Sequence, residues 1–284
     1  MMRSSEQPRT VALSGAPWRL PASSAVAAAA ATLCLCAAPA VHGSGAPGAR
    51  FSCDFDGSWS DCGFSAQAGG PDRIATVDVA GVHAVRLETQ PGDTGIAGSG
   101  TAERADLQLS PQATGCSQGA EQWWRHMLLF PGDYTAPVAT RADPWPWGVV
   151  FDFHQTGSEG QANFELEVAG QPSALRMAIS AGAVISSGAP DSPTRRWTIG
   201  PIAKSHWYEF VYHVRWSSGS DGFFSAWVDK RRVIDYRGPT LYAGQGCYLK
   251  LANYHTPVGR AVTVMHAQLA RAATPQALGL NWQP

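Results

Sequence analysis

Along this 284-residue chain, short segments in which apolar and polar residues alternate recur between Gly, Pro, Asn and Asp turn signals. An alternation of period two marks a β-strand with one face buried. The cleanest runs from Trp207 to Trp216, where Tyr208, Phe210, Tyr212, Val214 and Trp216 share a face and predict an aromatic layer between two sheets. A short strand is predicted at 51–55, and others at 84–89, 104–109, 123–130, 148–154, 163–168, 175–179, 197–199, 207–216, 223–227, 233–236, 248–254 and 262–269. About a dozen strands and no long helical pattern indicate an all-β sandwich or jelly roll, and the length suits one domain. Asp229-Lys230-Arg231-Arg232 reads as a hairpin turn, its charges solvated.

Three of these strands depart from a simple surface pattern. In Cys247-Tyr248-Leu249-Lys250-Leu251-Ala252-Asn253-Tyr254-His255, Leu249 and Leu251 share one face, while Tyr248, Lys250 and Tyr254 share the other around the small Ala252. In Glu103-Arg104-Ala105-Asp106-Leu107-Gln108-Leu109, Arg104, Asp106 and Gln108 turn away from the apolar set. In Val149-Val150-Phe151-Asp152-Phe153-His154-Gln155, Asp152 and His154 stand opposite the two phenylalanines. Singly, each ionisable residue reads as packing or a surface pair; gathered on the polar faces of three strands, they read as a site. The segment Pro144-Trp145-Pro146-Trp147 leads into the Asp152 strand, and its prolines deny it ladder donors. Its tryptophans are expected either to stack on a ligand at a cleft rim or to cap the core.

Composition narrows the class. With 44% hydrophobic and 15% charged residues the chain is globular, and neither disordered nor a general nucleic-acid binder. Arg3, Arg9 and Arg19, an apolar run from Ala25 to Ala38, and small residues to Gly43 form the order of a secretory signal, so residues 1–43 are expected to be removed and 44–50 to be a flexible linker. Cys34 and Cys36 would leave with the signal. The remaining Cys53, Cys62, Cys116 and Cys247 favour disulfides in an exported chain, and of three possible connectivities we pair Cys53 with Cys62 and Cys116 with Cys247. Loss of three Arg and Glu6 leaves 18 basic and 21 acidic residues, a net charge of −3. An acidic substrate must therefore be met by a local basic cleft rather than by the whole surface.

The three polar strands resemble those of the uronate-polysaccharide lyases with a jelly-roll fold, the alginate lyase, glucuronan lyase and heparin lyase I groups. Alginate lyases of this kind carry Arg-Ser/Thr-Glu-Leu, Gln-Ile/Val-His and Tyr-Phe-Lys-Ala-Gly-x-Tyr. The counterparts here are Arg104-Ala105-Asp106-Leu107, Asp152-Phe153-His154 and Tyr248-Leu249-Lys250-Leu251-Ala252-Asn253-Tyr254. The layout, including Phe51-Ser52-Cys53-Asp54-Phe55 and Trp227-Val228-Asp229, is most similar to the heparin-lyase-I-like group. The resemblance implies a two-sheet, concanavalin-like jelly roll over residues 51–284 and a secreted lyase, extracellular or periplasmic, that cleaves a uronate polymer by β-elimination. It implies that Arg104 and His154 face the substrate carboxylate, that Tyr254 gives the departing O4 its proton, and that His154 or ionised Tyr254 takes the C5 proton. Lys250, Tyr248, Asp106, Asp152, Gln155 and Asn253 would bind substrate. Asp152 stands where the family has Gln, so Gln155 or Asn253 is a candidate for the missing amide. The partner is expected to be an acidic polysaccharide or oligosaccharide, with no nucleic acid and, once the signal is removed, no membrane. The protein is expected to be a monomer with no cofactor and no catalytic metal, a structural calcium ion being left open. Two other functions compete. Glu165 and Glu167 share a strand face and could serve a glycoside hydrolase as a retaining pair, and a lectin-like module would bind oligosaccharides unchanged.

Overall fold

The computed structural model describes residues 50–96, 99–141, 144–157, 161–170, 172–182 and 194–284; the expected signal, Cys34, Cys36 and nearly all of the linker lie outside them. Fifteen strands form two antiparallel sheets among the described residues. The first sheet holds β1 (Phe51–Cys53), β3 (Ile74–Val79), β4 (Val82–Thr89), β6 (Glu121–Leu129), β11 (Trp207–Arg215), β12 (Phe223–Val228), β13 (Arg231–Arg237) and β15 (Val262–Ala272), in the order β13-β12-β11-β6-β15-β4-β3 with β1 pairing to β15. The second holds β2 (Phe64–Ala68), β5 (Glu103–Leu109), β7 (Trp147–Gln155), β8 (Phe164–Ala169), β9 (Ala174–Ser180), β10 (Thr194–Pro201) and β14 (Cys247–His255), in the order β10-β9-β8-β7-β14-β5-β2. This is the expected two-sheet sandwich.

The core lies between the sheets. Tyr208, Phe210, Tyr212, Val214 and Trp216 are all buried, as their alternation predicts. They meet Phe151, Phe153 and Phe164 from the second sheet, with Phe153 and Phe164 each 5.2 Å from Trp216 by ring centroids. The Asp229–Lys230 pair is the two-residue loop of the β12–β13 hairpin. Both residues have positive φ, 49° and 68°, the conformation that matches the twist of the flanking strands. Two strands escape the sequence pattern: β2, built mostly of small residues, and β3, an edge strand in which only Ile74 is buried. Neither carries enough inward apolar side chains to show a period.

β14 lies between β5 and β7, so all three polar strands are neighbours. Disulfides join Cys53 to Cys62 and Cys116 to Cys247, the expected pairing. The second fixes the first residue of β14, beside which Gly246 passes so close to Cys116 that an added Cβ would sit 2.9 Å from its carbonyl oxygen. A bulge at Val150 shifts the register of β7 against β8, and one in β14 between Leu251 and Tyr254 shifts that strand against β7; Val150 and Phe151 both turn to the core.

Candidate active site

The outward face of the second sheet has a charged floor beneath more exposed rings. Arg104, Asp106, Asp152 and Lys250 are buried, whereas Tyr248, Tyr254 and His154 are partly exposed above them. The register sets them in rungs across the sheet. Lys250 pairs with Gln108 on β5 and with Asp152 on β7, and Asp152 in turn faces Glu165 on β8. Tyr248 pairs with His154, while Tyr254 pairs with Arg104 on one side and Val149 on the other.

Arg104 and Lys250 are held together by Asp106. Arg104 Nε lies 3.1 Å and Lys250 Nζ 3.6 Å from Asp106 Oδ2, and Lys250 Nζ also donates to Gln67 Oε1 at 3.0 Å. Burial raises the Asp106 carboxyl above its ordinary value, and the two cations pull it back. The guanidinium of Arg104 lies 3.8 Å from the centre of the Tyr254 ring, whose other neighbour is Trp147, edge-on at 4.8 Å. The Pro-Trp-Pro-Trp segment thus supplies one tryptophan to the Tyr254 side of the site, while Trp145 is 82% exposed.

The candidate residues divide by face. His154 stacks on Tyr248 with ring centroids 5.0 Å apart, and its Nδ1 lies 3.1 Å from the carbonyl oxygen of Gln155. A carbonyl only accepts, so this contact fixes the proton on Nδ1 and leaves the Nε2 lone pair open. Burial lowers the imidazole below its ordinary value, with Lys250 and Arg104 adding to the effect, so His154 rests neutral. Burial holds the Tyr254 phenol above its ordinary value although Arg104 pulls it down, and Tyr248 is pushed up to about 12, also by burial. Neutral imidazole and protonated phenols are the resting forms of a base and of acids.

Backbone register separates the His154 rung from the Tyr254 rung by six residues of β14, about 20 Å at ~3.3 Å per residue. The charge of Arg104 nevertheless acts on His154, Tyr248 and Tyr254 alike, so all three answer to one cation.

Two candidate substrate contacts are corrected. Asn253 is buried and points to the other sheet, its Nδ2 donating to the carbonyls of Leu87 (3.1 Å) and Val262 (2.8 Å). Gln155 shares the inward parity of Phe151 and Phe153 and is buried. Alternation thus sends both amides away from the face that carries Asp152. Lys250, expected to hold the substrate chain, is committed to Gln67 and Asp106 in the floor. Gln67 escapes a reading of the sequence because β2 shows no apolar period; the polar alternation of Ser65 and Gln67 is its one signal. Glu165 and Glu167 do share a face, but Glu167 is engaged by Arg196 at 3.3 Å and Arg176 at 3.8 Å. Among the described residues, no group of three His, Cys, Asp or Glu side chains is placed to hold a metal ion.

A β-sandwich that offers imidazole, phenols and paired cations from adjacent strands of one sheet has the layout of an enzyme acting on sugar chains. The chain belongs to the polysaccharide lyase family, whose model matches residues 53–268. Its fold is similar to that of the endo-β-1,4-glucuronan lyase of the fungus Trichoderma reesei, with a TM-score of 0.56, 13% identity, and coverage of 80% of this chain and 96% of that one. It is also similar to the alginate lyase Aly36B in complex with alginate trisaccharide, with a TM-score of 0.53, 12% identity, and coverage of 80% and 98%. No curated protein sequence matches the chain. The protein is therefore a polysaccharide lyase, and family membership sets aside both the hydrolase and the lectin alternatives.

Proposed function

We propose that this lyase is secreted and cleaves a uronate-containing polysaccharide by β-elimination on the outward face of the second sheet. The observation that carries the reading is the approach of Arg104 to the Tyr254 ring, on the same sheet face as a neutral His154 with an open Nε2. The C5 proton of a uronate is weakly acidic, and its removal requires the neighbouring carboxylate to be neutralised while the leaving O4 receives a proton. Arg104 supplies positive charge to that carboxylate. His154 takes the C5 proton on Nε2, because a phenol held above its ordinary pKa is a poor resting base. Tyr254 gives its proton to O4, and the two protons are balanced when His154 releases its own to solvent and Tyr254 regains one. Two disulfides support an oxidising, extracellular or periplasmic home. The substrates of the structural neighbours, glucuronan and alginate, support a uronate polymer.

Incubation with alginate, glucuronan, heparin and a neutral β-glucan tests the reading. Unsaturated ends absorbing in the ultraviolet should form from a uronate polymer and not from the neutral glucan. Cleavage of the neutral glucan alone would overturn it.

A further inference from the structure

Asp152 and Glu165 face each other across β7 and β8 on the site face, on the same rung as Lys250. Asp152 is 5% exposed, and its Oδ1 is buried without a hydrogen-bond partner. Two carboxylates on adjacent strands, directly opposed, one buried and the other partly buried, do not both keep a full negative charge. The cations nearby do not cancel them. Lys250 and Arg104 pull Asp152 down and Arg196 pulls Glu165 down, but Arg104 and Lys250 also serve Asp106, and Arg196 and Arg176 also serve Glu167, so burial still wins. The remaining titratable neighbours are His154 on the same strand and Tyr248 and Tyr254 on β14, all uncharged at neutral pH.

We propose that Asp152 and Glu165 share a proton and present a carboxylic acid O–H to the carboxylate of the substrate, making the pair a specificity determinant for a uronate ring. The proposal rests on the uronate reading above. Shape and charge support it independently: a floor that held two further bare carboxylates would repel an acidic sugar, whereas a neutral acid donates to it. Burial raises Asp152 to about 7 and Glu165 to about 8, each also pushed up by acidic neighbours, and as a coupled pair they keep at least one proton through neutral pH. The hydrogen bond needs no proton transfer, so its whole effect is on binding and carboxylate neutralisation. Loss of the proton above about pH 8 converts the donor into a repelling charge.

Two readouts on the intact protein test this. Infrared difference spectra between the parent and Asp152→Asn should show a neutral carboxylic acid carbonyl band in the parent at pH 6. That band should fade by pH 9 and shift in frequency in the variant, where Glu165, still raised by burial and by Glu167, no longer has Asp152 to share its proton with. In parallel, kcat/KM of the parent on the uronate polymer should fall about ten-fold per pH unit above pH 8, while Asp152→Asn, whose amide donates without titrating, stays flat over that window. Glu165→Gln should shift the band as well, since Asp152, still raised by burial, then holds its proton alone. Absence of the band at pH 6 in the folded parent overturns the shared proton. A variant that keeps the parental pH slope overturns the substrate contact. If the band is present but no uronate polymer yields unsaturated product, the uronate reading has failed and the substrate contact with it, while the proton-sharing pair stands on the spectrum.

Discussion

Acid should strip stability from the core through two histidines that have no part in the chemistry. His126 and His266 are fully buried between the sheets with ring centroids 6.0 Å apart, and His126 is sandwiched by Phe151 at 4.2 Å and Phe210 at 4.9 Å. Burial pushes His266 from 6.5 down to about 3, and burial together with the charge of His266 drives His126 well below its ordinary value. The unfolded chain takes up these protons near pH 6.5 and the folded chain does not, so stability is complete above that value and declines as pH falls towards 3. Each pH unit in the window costs about 1.4 kcal/mol per histidine, so His266 alone should cost about 3 kcal/mol between pH 7 and pH 4. Against a typical net stability of about 5–15 kcal/mol that is a large share. Urea unfolding at pH 7, 6, 5 and 4 should show the parent losing about 3 kcal/mol more than His266→Leu, which keeps the volume and cannot charge. Carboxylate titrations are common to both proteins and cancel in the difference. Parallel stability curves for parent and variant would refute the reasoning.

Three other outcomes follow from the placement of single residues. Asn253→Ala removes the amide donor to the carbonyls of Leu87 and Val262, leaving Val262 with the longer bond from Thr89 Oγ1 at 3.5 Å, so thermal melting and urea titration should report a loss of about 2–4 kcal/mol, with KM unchanged in the fraction that remains folded. Lys250→Met removes one cation from buried Asp106 and should cost about 3 kcal/mol of stability; a melting temperature equal to the parent's would show that Lys250 is not part of the floor. Replacing Cys116 and Cys247 with Ala frees a 131-residue separation and should cost about 4–5 kcal/mol on the chain-entropy account, whereas the same change at Cys53 and Cys62, only 9 apart, should cost less.

The two-sheet sandwich is legible in the sequence because most strands bury one face and therefore alternate; the four aromatic and apolar residues on one face of β11, with Trp216 just beyond its end, mark the interior by their spacing alone. Two of the edge strands, β2 and β3, are not legible, since they bury little and have no period to read. At the site, Arg104, Asp106, Asp152, His154, Tyr248, Lys250 and Tyr254 can be assigned to one face by parity alone. Parity also excludes Asn253 and Gln155, each on the opposite face of its own strand, and their expected amide role runs against that rule. Register is beyond reach: a one-residue bulge at Val150 and the pairing of Asp152 with Glu165 depend on long-range strand order. So does the contact between Gln67 and Lys250, which joins residues 183 apart in sequence.

The central claim is that the site performs β-elimination with Tyr254 as the proton donor. Tyr254→Phe retains the ring that Arg104 and Trp147 pack against and removes only the hydroxyl. Initial rates of unsaturated-end formation on the best uronate substrate, measured beside the melting temperatures of parent and variant, test it directly. The account predicts an unchanged melting temperature and a turnover reduced by at least ~10²-fold, the usual worth of a general acid; a variant that melts like the parent and cleaves at the parental rate would contradict it.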